Sequence, residues 1–208
     1  MSTINRVQSI YKARQTILSL CDDSGFDISD YYEFGIDDVN TMYNNNQLNL
    51  LLENESNNTK MCIHFYLDKK QIKPQNLDDI IEEVFYINEL LTNKDTLVIV
   101  SDEEPNDTII SKMKYLYDHS GIFVVIHNIR RLQYNILKHE LVPKIEILDE
   151  TEREEFMKQY NVRNLKQLPE ISRFDPQALA IAMRPGDICK ITRDSPTVLK
   201  TFYYRVCI

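Results

Sequence analysis

Two runs, Leu97-Val98-Ile99-Val100 and Ile122-Phe123-Val124-Val125-Ile126, are apolar at every position. Runs this short and this rich in β-branched residues read as strands, and a strand apolar on both faces must be covered on both. Between them lie a polar turn containing Pro105, a run at helical spacing through Met113, Leu116 and Tyr117, and then Gly121. Strand, helix and strand in that order make a βαβ unit, whose strands run parallel. The front of the chain is therefore expected to be an α/β domain with a mixed sheet and flanking helices.

Upstream, Met61, Ile63, Phe65 and Leu67 alternate with Cys62, His64 and Tyr66, the period of a strand with one buried face. Leu77, Ile80, Ile81, Val84, Ile87 and Leu91 then follow helical spacing, with Asp78, Asp79, Glu82 and Glu83 expected near the helix start, where carboxylates suit its dipole. At the front, Ile4, Val7, Ile10, Tyr11, Ile17 and Leu18 draw an apolar stripe along a helix that Gly25 stops, with residues 21–24 as its frayed end. Residues 40–60, Asn-rich around Leu48 to Leu52, read as a short element or a loop.

After Leu141-Val142-Pro143 the pattern changes. Ile145 and Ile147 alternate as a short strand, and Asp149 with Glu152 forms a capping box for a helix reaching Tyr160. Asp175-Pro176 pairs an N-cap acceptor with proline at the first helical position, for a helix ending near Met183. Pro185-Gly186 makes a tight turn into strands 187–193 and 201–207, which pair across a loop containing Pro196. This part reads as a small α+β domain, residues 138–208, following a first domain of residues 1–137. At about seventy residues it buries little core and calls for support from a partner surface.

Charge and chemistry exclude several functions. Residues 1–137 carry 12 Lys+Arg against 21 Asp+Glu, whereas residues 138–208 carry 12 against 11. A freestanding nucleic-acid binder would show a dense basic face instead. The opening residues lack an apolar signal region and no run is long enough to cross a bilayer, so a soluble intracellular protein with no membrane partner is expected. Cys21, Cys62, Cys189 and Cys207 form no Cys-x-x-Cys pair and read as buried reduced thiols, although Cys189 and Cys207 fall on neighbouring strands. His64, His119, His127 and His139 form no metal-ligand pair, and the four glycines build no phosphate loop, so no cofactor is implied.

One acidic constellation supports an enzyme alternative, a stand-alone Mg²⁺-dependent nuclease. Asp68 and Lys70, at the end of a strand, with Glu53 or Glu55 upstream, have the residue types that hold Mg²⁺ and orient a water. Acid-lysine strings at strand ends are also common solvated turns, which weighs against it. Arg130, Arg131 and Lys138 stand out in acidic surroundings as candidate phosphate contacts, against a solvated strand exit.

The last third carries an ordered set: His139-Glu140-Leu141-Val142-Pro143, Gln167-Leu168-Pro169, Asp175-Pro176, Arg184-Pro185-Gly186-Asp187, Ile188 to Arg193, and Tyr203 to Ile208. It resembles the C-terminal assembly domain of subunit five of the eukaryotic-type DNA-directed RNA polymerases, a family with archaeal members. Gly25-Phe26-Asp27-Ile28-Ser29 and Gly121-Ile122-Phe123-Val124 look like parts of that family's first domain. The chain departs from the family at Ile145, where a histidine is usual, at Pro185, where a basic residue is usual, and at Ile129 to Leu132, in place of a Thr-Pro-Ser-Ala segment.

The resemblance implies a non-catalytic subunit whose active site lies in other chains. Residues 138–208 would dock on the largest polymerase subunit beside the small subunit six, with His139, Leu141, Val142, Pro143, Asp175, Pro176, Gly186, Lys190, Arg193, Tyr204 and Arg205 at the contact. Residues 1–137 would form a nuclease-like jaw fold beside downstream duplex DNA. The Asn-rich composition fits either a eukaryote with an AT-rich genome or a large DNA virus, which implies a nuclear protein in the first case and one of virion and host cytoplasm in the second.

Overall fold

In the computed structural model, which describes residues 3–67, 71–195 and 197–208, the chain divides into two compact units, Met1–Asn135 and Ile136–Ile208. The first opens with helix α1 (Thr3–Asp23), whose stripe buries Ile10, Ile17 and Leu18. Its end is capped where fraying was expected. Phe26 N–H donates to the Cys21 carbonyl at 3.0 Å and Gly25 N–H to that of Asp22 at 2.9 Å, the paired bonds of a Schellman motif, with Gly25 at φ +83°. Cys21 is thereby held in the core.

Helix α2 (Ile36–Asn44) and strand β1 (Leu50–Asn54) occupy the stretch left between loop and element. Leu48, Leu50 and Leu52 are all buried, and β1 pairs antiparallel with β2 (Thr59–Tyr66), Leu50 opposite Ile63. Strands β2, β3 (Thr96–Ser101) and β4 (Phe123–Asn128) run parallel in the order β1-β2-β3-β4, with Cys62 beside Leu97 and Leu97 beside Val124. The sheet is therefore mixed, and every residue of β3 is buried.

Strand β2 departs from the one-sided burial expected of its alternation, because Met61, Cys62 and Ile63 are all buried. An interior strand has cover on both faces. Cys21 of α1 lies 3.6 Å from the Met61 sulfur on one side. The two crossover helices, α3 (Pro74–Ile81) and α4 (Asp107–Ser120), pack side by side, Lys112 Nζ donating to the Pro74 carbonyl at 3.0 Å. Right-handed crossovers that advance the same way across a sheet deliver their helices to one face, which leaves the other to α1. Asn106 caps α4 by accepting from Ile109 N–H at 3.0 Å, and Gly121 ends it at φ +69°.

Helix α3 does not continue to Leu91 as its spacing suggested. From Glu82 to Ile87 the backbone widens into a π turn, Asn88 N–H returning to the Glu83 carbonyl at 2.9 Å. Val84 stays buried, but the wider turn swings Ile87 off the stripe to 68% exposure. The carboxylates are also misplaced for the dipole: the first turn of α3 holds none, and Glu82 and Glu83 lie in the π turn.

The second unit is a sheet in the order β5-β7-β8-β6, built from β5 (Lys144–Ile147), β6 (Glu170–Ile171), β7 (Ile188–Ser195) and β8 (Leu199–Cys207). Helix α5 (Glu150–Gln159) starts at the expected capping box, Glu152 N–H donating to Asp149 Oδ1 at 2.8 Å and Asp149 N–H to Glu152 Oε2 at 3.2 Å. Helix α6 (Pro176–Ala180) begins at Asp175, which accepts from Gln177 N–H at 2.9 Å, and it is shorter than expected. Met183 N–H bonds the Ala178 carbonyl at 2.9 Å and Ala182 N–H that of Leu179 at 3.2 Å, a second Schellman motif with Ala182 at φ +48°.

One face of this sheet packs Ile145, Cys189, Ile191, Ile171 and Cys207 with Ala178 and Met183. The cysteines are free and buried, and burial pushes the Cys21 and Cys207 thiols up to about 12 and Cys62 to about 11. Cys189 and Cys207 share this core, but the cross-strand neighbour of Cys189 is Arg205. None of the described helices is long and apolar enough to cross a membrane.

Candidate assembly surface

Asp68 and Lys70 lie outside the described residues, and Glu53 is engaged by Lys60 across the β1–β2 ladder, Nζ to Oε1 at 2.6 Å. Glu55 lines an open hollow of about 670 Å³ with Asp22, Asp27 and Glu33, whose charged lining is wholly acidic and so unsuited to phosphate. Among the described residues no three His, Cys, Asp or Glu are grouped to hold a metal ion. His64 meets Asn49 Nδ2 at 3.1 Å, His119 stacks on Tyr115 at 4.0 Å between centroids, and His127 is buried on β4.

Of the candidate phosphate contacts, Arg130 and Arg131 are both exposed just past β4, in and beside a short 3-10 turn, Arg131–Gln133. Arg131 is already committed: its Nη2 and Nε lie 2.7 and 2.9 Å from Glu104 Oε1. Lys138 is exposed in the second unit, at the end of the 3-10 turn Ile136–Lys138.

The second unit holds the other candidates, and they fall into two groups. Several shape the backbone. His139 accepts from Leu141 N–H at 3.2 Å through Nδ1, Val142 N–H bonds the His139 carbonyl at 2.9 Å, and the Pro143 carbonyl accepts from Gln177 Nε2 at 3.1 Å, tying this segment to α6. Asp175 and Pro176 start α6 as described. Gly186 takes φ +94° in a turn closed by Asp187 N–H on the Arg184 carbonyl at 3.0 Å. Arg205 reaches the Glu170 carbonyl at 3.1 Å, bridging β8 to β6.

The others lie along the β7–β8 hairpin. Lys190 Nζ sits 4.6 Å above the Phe202 ring and Arg193 lies 5.0 Å from that of Tyr203, so each cation covers an aromatic on the adjacent strand. Tyr204 shares the face of Ile188 and Val206 and packs on Phe156 of α5 at 4.2 Å and Tyr160 at 5.7 Å. Its hydroxyl pKa is raised by burial and by Tyr160. Both faces are thus covered at the hairpin root.

Beyond those two cation contacts its far end is exposed. Strand β5 pairs with β7 only over Cys189–Thr192, and β6 with β8 only over Val206–Cys207. Beyond them Val198, Leu199, Phe202 and Tyr203 are 68, 85, 50 and 47% exposed, and Leu141 is 85% exposed. From Leu199 to Arg205, β8 has no strand on its outer side among the described residues, and such an edge is a template for another chain. The four hairpin-end residues are the ones sequence reasoning missed; adjacent Phe202 and Tyr203 were the signal, because a strand cannot bury two consecutive side chains on one face.

The chain matches the family described as RNA polymerase Rpb5, C-terminal domain, over residues 134–207. It is 43% identical over 76 residues to the DNA-directed RNA polymerase subunit Rpo5 of Thermococcus kodakarensis, 36% of this chain and 92% of the relative. The same subunit of Nitrosopumilus maritimus is 42% identical over 79 residues, 38% of this chain and 94% of the relative. That of Staphylothermus marinus is 44% identical over 78 residues, 38% of this chain and 85% of the relative. The match falls on the unit that carries the exposed hairpin end, residues 1–133 lie outside the family match, and by it the chain belongs to the Rpo5/Rpb5 family of DNA-directed RNA polymerase subunits.

Proposed function

We propose that this chain is a non-catalytic subunit of a multisubunit DNA-directed RNA polymerase and that residues 138–208 are its assembly domain. The reading rests on the family match over residues 134–207, which coincides with the unit bearing the exposed hairpin end. The match spans almost the whole of relatives that carry the polymerase subunit name. A unit this small buries little core, and the exposed Leu199, Phe202 and Tyr203 supply apolar area for a partner to cover. The partner proposed is the largest subunit, with the small subunit six beside it.

Residues 1–137 form a jaw of nuclease-like fold, a reading supported by the mixed sheet with cover on both faces. Downstream duplex DNA would lie beside this jaw, which would help hold it through local contacts within the assembled polymerase. Residues 1–137 repel phosphate through an excess of nine acidic charges, and Glu104 already holds Arg131, so Arg130 is the more available contact.

The test is Leu199→Ser/Phe202→Ser in the full chain, reconstituted with the remaining polymerase subunits. Leu199 is 85% and Phe202 50% exposed, and the second gives up only its contact with Lys190, so the free chain should lose no more than about 1 kcal/mol of stability. Losing their burial removes about 3 kcal/mol from docking, a weakening on the order of 100-fold. Incorporation at wild-type yield in a competition with unlabelled chain would overturn the assignment.

A further inference from the structure

We propose that the π turn following α3 displays a docking surface for a basic, apolar-anchored segment of a partner polypeptide, separate from the assembly domain. Tyr86, Ile87 and Leu90 are 64, 68 and 38% exposed there. Leu90 N–H returns to the Val84 carbonyl at 3.0 Å, which folds the backbone at Leu90 back beside the turn and keeps the three exposed residues within one short segment.

The exposure is imposed by the backbone. A continued α-helix would carry Ile87 on the stripe of Leu77, Ile80 and Val84; the widened turn takes it off that stripe, and Glu89, at φ +48°, holds the exit in the left-handed region. Two uncommon conformations in succession keep Ile87 in water beside the exposed Tyr86. Strain of that kind persists where the exposed group has a use.

Charge identifies the occupant. Asp79, Glu82, Glu83 and Glu89 are exposed around the patch, and no Lys or Arg occurs between Pro74 and Leu91. Nucleic acid and acidic segments are repelled, as is the acidic first unit of a second copy. A segment that sets Lys or Arg beside bulky apolar anchors satisfies both halves of the surface, its charges speeding encounter and its anchors slowing release.

The test titrates the full chain into a fluorescein-labelled amphipathic peptide of Leu and Lys and into its Leu and Glu counterpart, read by anisotropy. The Lys peptide should bind and the Glu peptide should not. Tyr86→Ser/Ile87→Ser should weaken binding by about ten-fold. Glu82→Gln/Glu83→Gln should weaken it and flatten its salt dependence, while Glu33→Gln/Glu55→Gln, in the acidic hollow, should leave it unchanged. Because the two charge variants leave the apolar patch intact, they test the proposal even if the Ser variant unfolds. Equal binding of both peptides, wild-type affinity in the Glu82→Gln/Glu83→Gln variant, or loss of binding in the hollow variant would each overturn it. So would a dimer of the free chain that Tyr86→Ser/Ile87→Ser converts to monomer, because the face would then belong to a second copy.

Discussion

Acidification should destabilise the first unit in a window set by His127. This side chain is 9% exposed on β4, and burial, reinforced by nearby Arg131, holds its pKa down to about 4 from an ordinary 6.5. The folded chain therefore keeps the imidazole neutral where the unfolded chain takes up a proton. With more protons bound by the unfolded state, stability rises with pH across that interval. The contribution is fully present above 6.5 and is lost as pH falls toward 4. Spread over that interval, the loss amounts to about 3 kcal/mol. Urea titrations from neutral pH to about 4.5, followed by backbone amide NMR signals of the first unit, measure it directly. His127→Gln removes the titrating group, so its stability should fall less steeply with acid than that of wild type, whatever the offset at neutral pH. Arg131→Gln should raise the His127 pKa and narrow the window. Equal slopes for wild type and His127→Gln, or a directly titrated His127 near 6.5, would refute the reasoning.

Two substitutions in the second unit should act with opposite sign through backbone conformation. Ala182→Gly relieves a left-handed residue at φ +48° and should raise stability by about 0.5 kcal/mol after the greater chain entropy of glycine is offset; a lower thermal midpoint would contradict the α6 cap. Gly186→Ala meets no atom within 4 Å, so any loss comes from φ +94° alone, and it should be about 1–2 kcal/mol by chemical denaturation. Finally, Arg130→Ala/Arg131→Ala should leave polymerase assembly intact. It should shallow the dependence of downstream DNA retention on salt, with most of the effect reproduced by Arg130→Ala alone; an unchanged salt slope would make both arginines a solvated strand exit.

Much of the fold was written in local pattern. The stripe of α1, the βαβ run ending in Ile122 to Ile126, the Asp149/Glu152 box, the Asp175-Pro176 start and the Pro185-Gly186 turn are all demands of neighbouring residues on one another, so they can be read without knowing what packs where. The ordered motifs of residues 139–208 likewise pointed to the polymerase subunit family that the match bears out.

Tertiary structure decided the rest. Strand β1 is five residues long in polar surroundings, and the run Leu50-Leu51-Leu52 becomes a strand through pairing with β2. Met61 and Cys62 are both buried because β2 lies inside the sheet, and side-chain alternation records what a strand carries without recording its position. Ile87 sits at perfect helical spacing and still faces water, since the choice between α and π winding was made by the chain leaving α3. The candidate assembly surface follows the same logic. Phe202 and Tyr203 belong to a strand by sequence, but that strand, β8, runs on past its outer neighbour β6, just as its partner β7 runs on past β5. An apolar pattern states that a face must be covered; which face stays bare depends on where the neighbouring elements end, and that is a property of the assembled sheet.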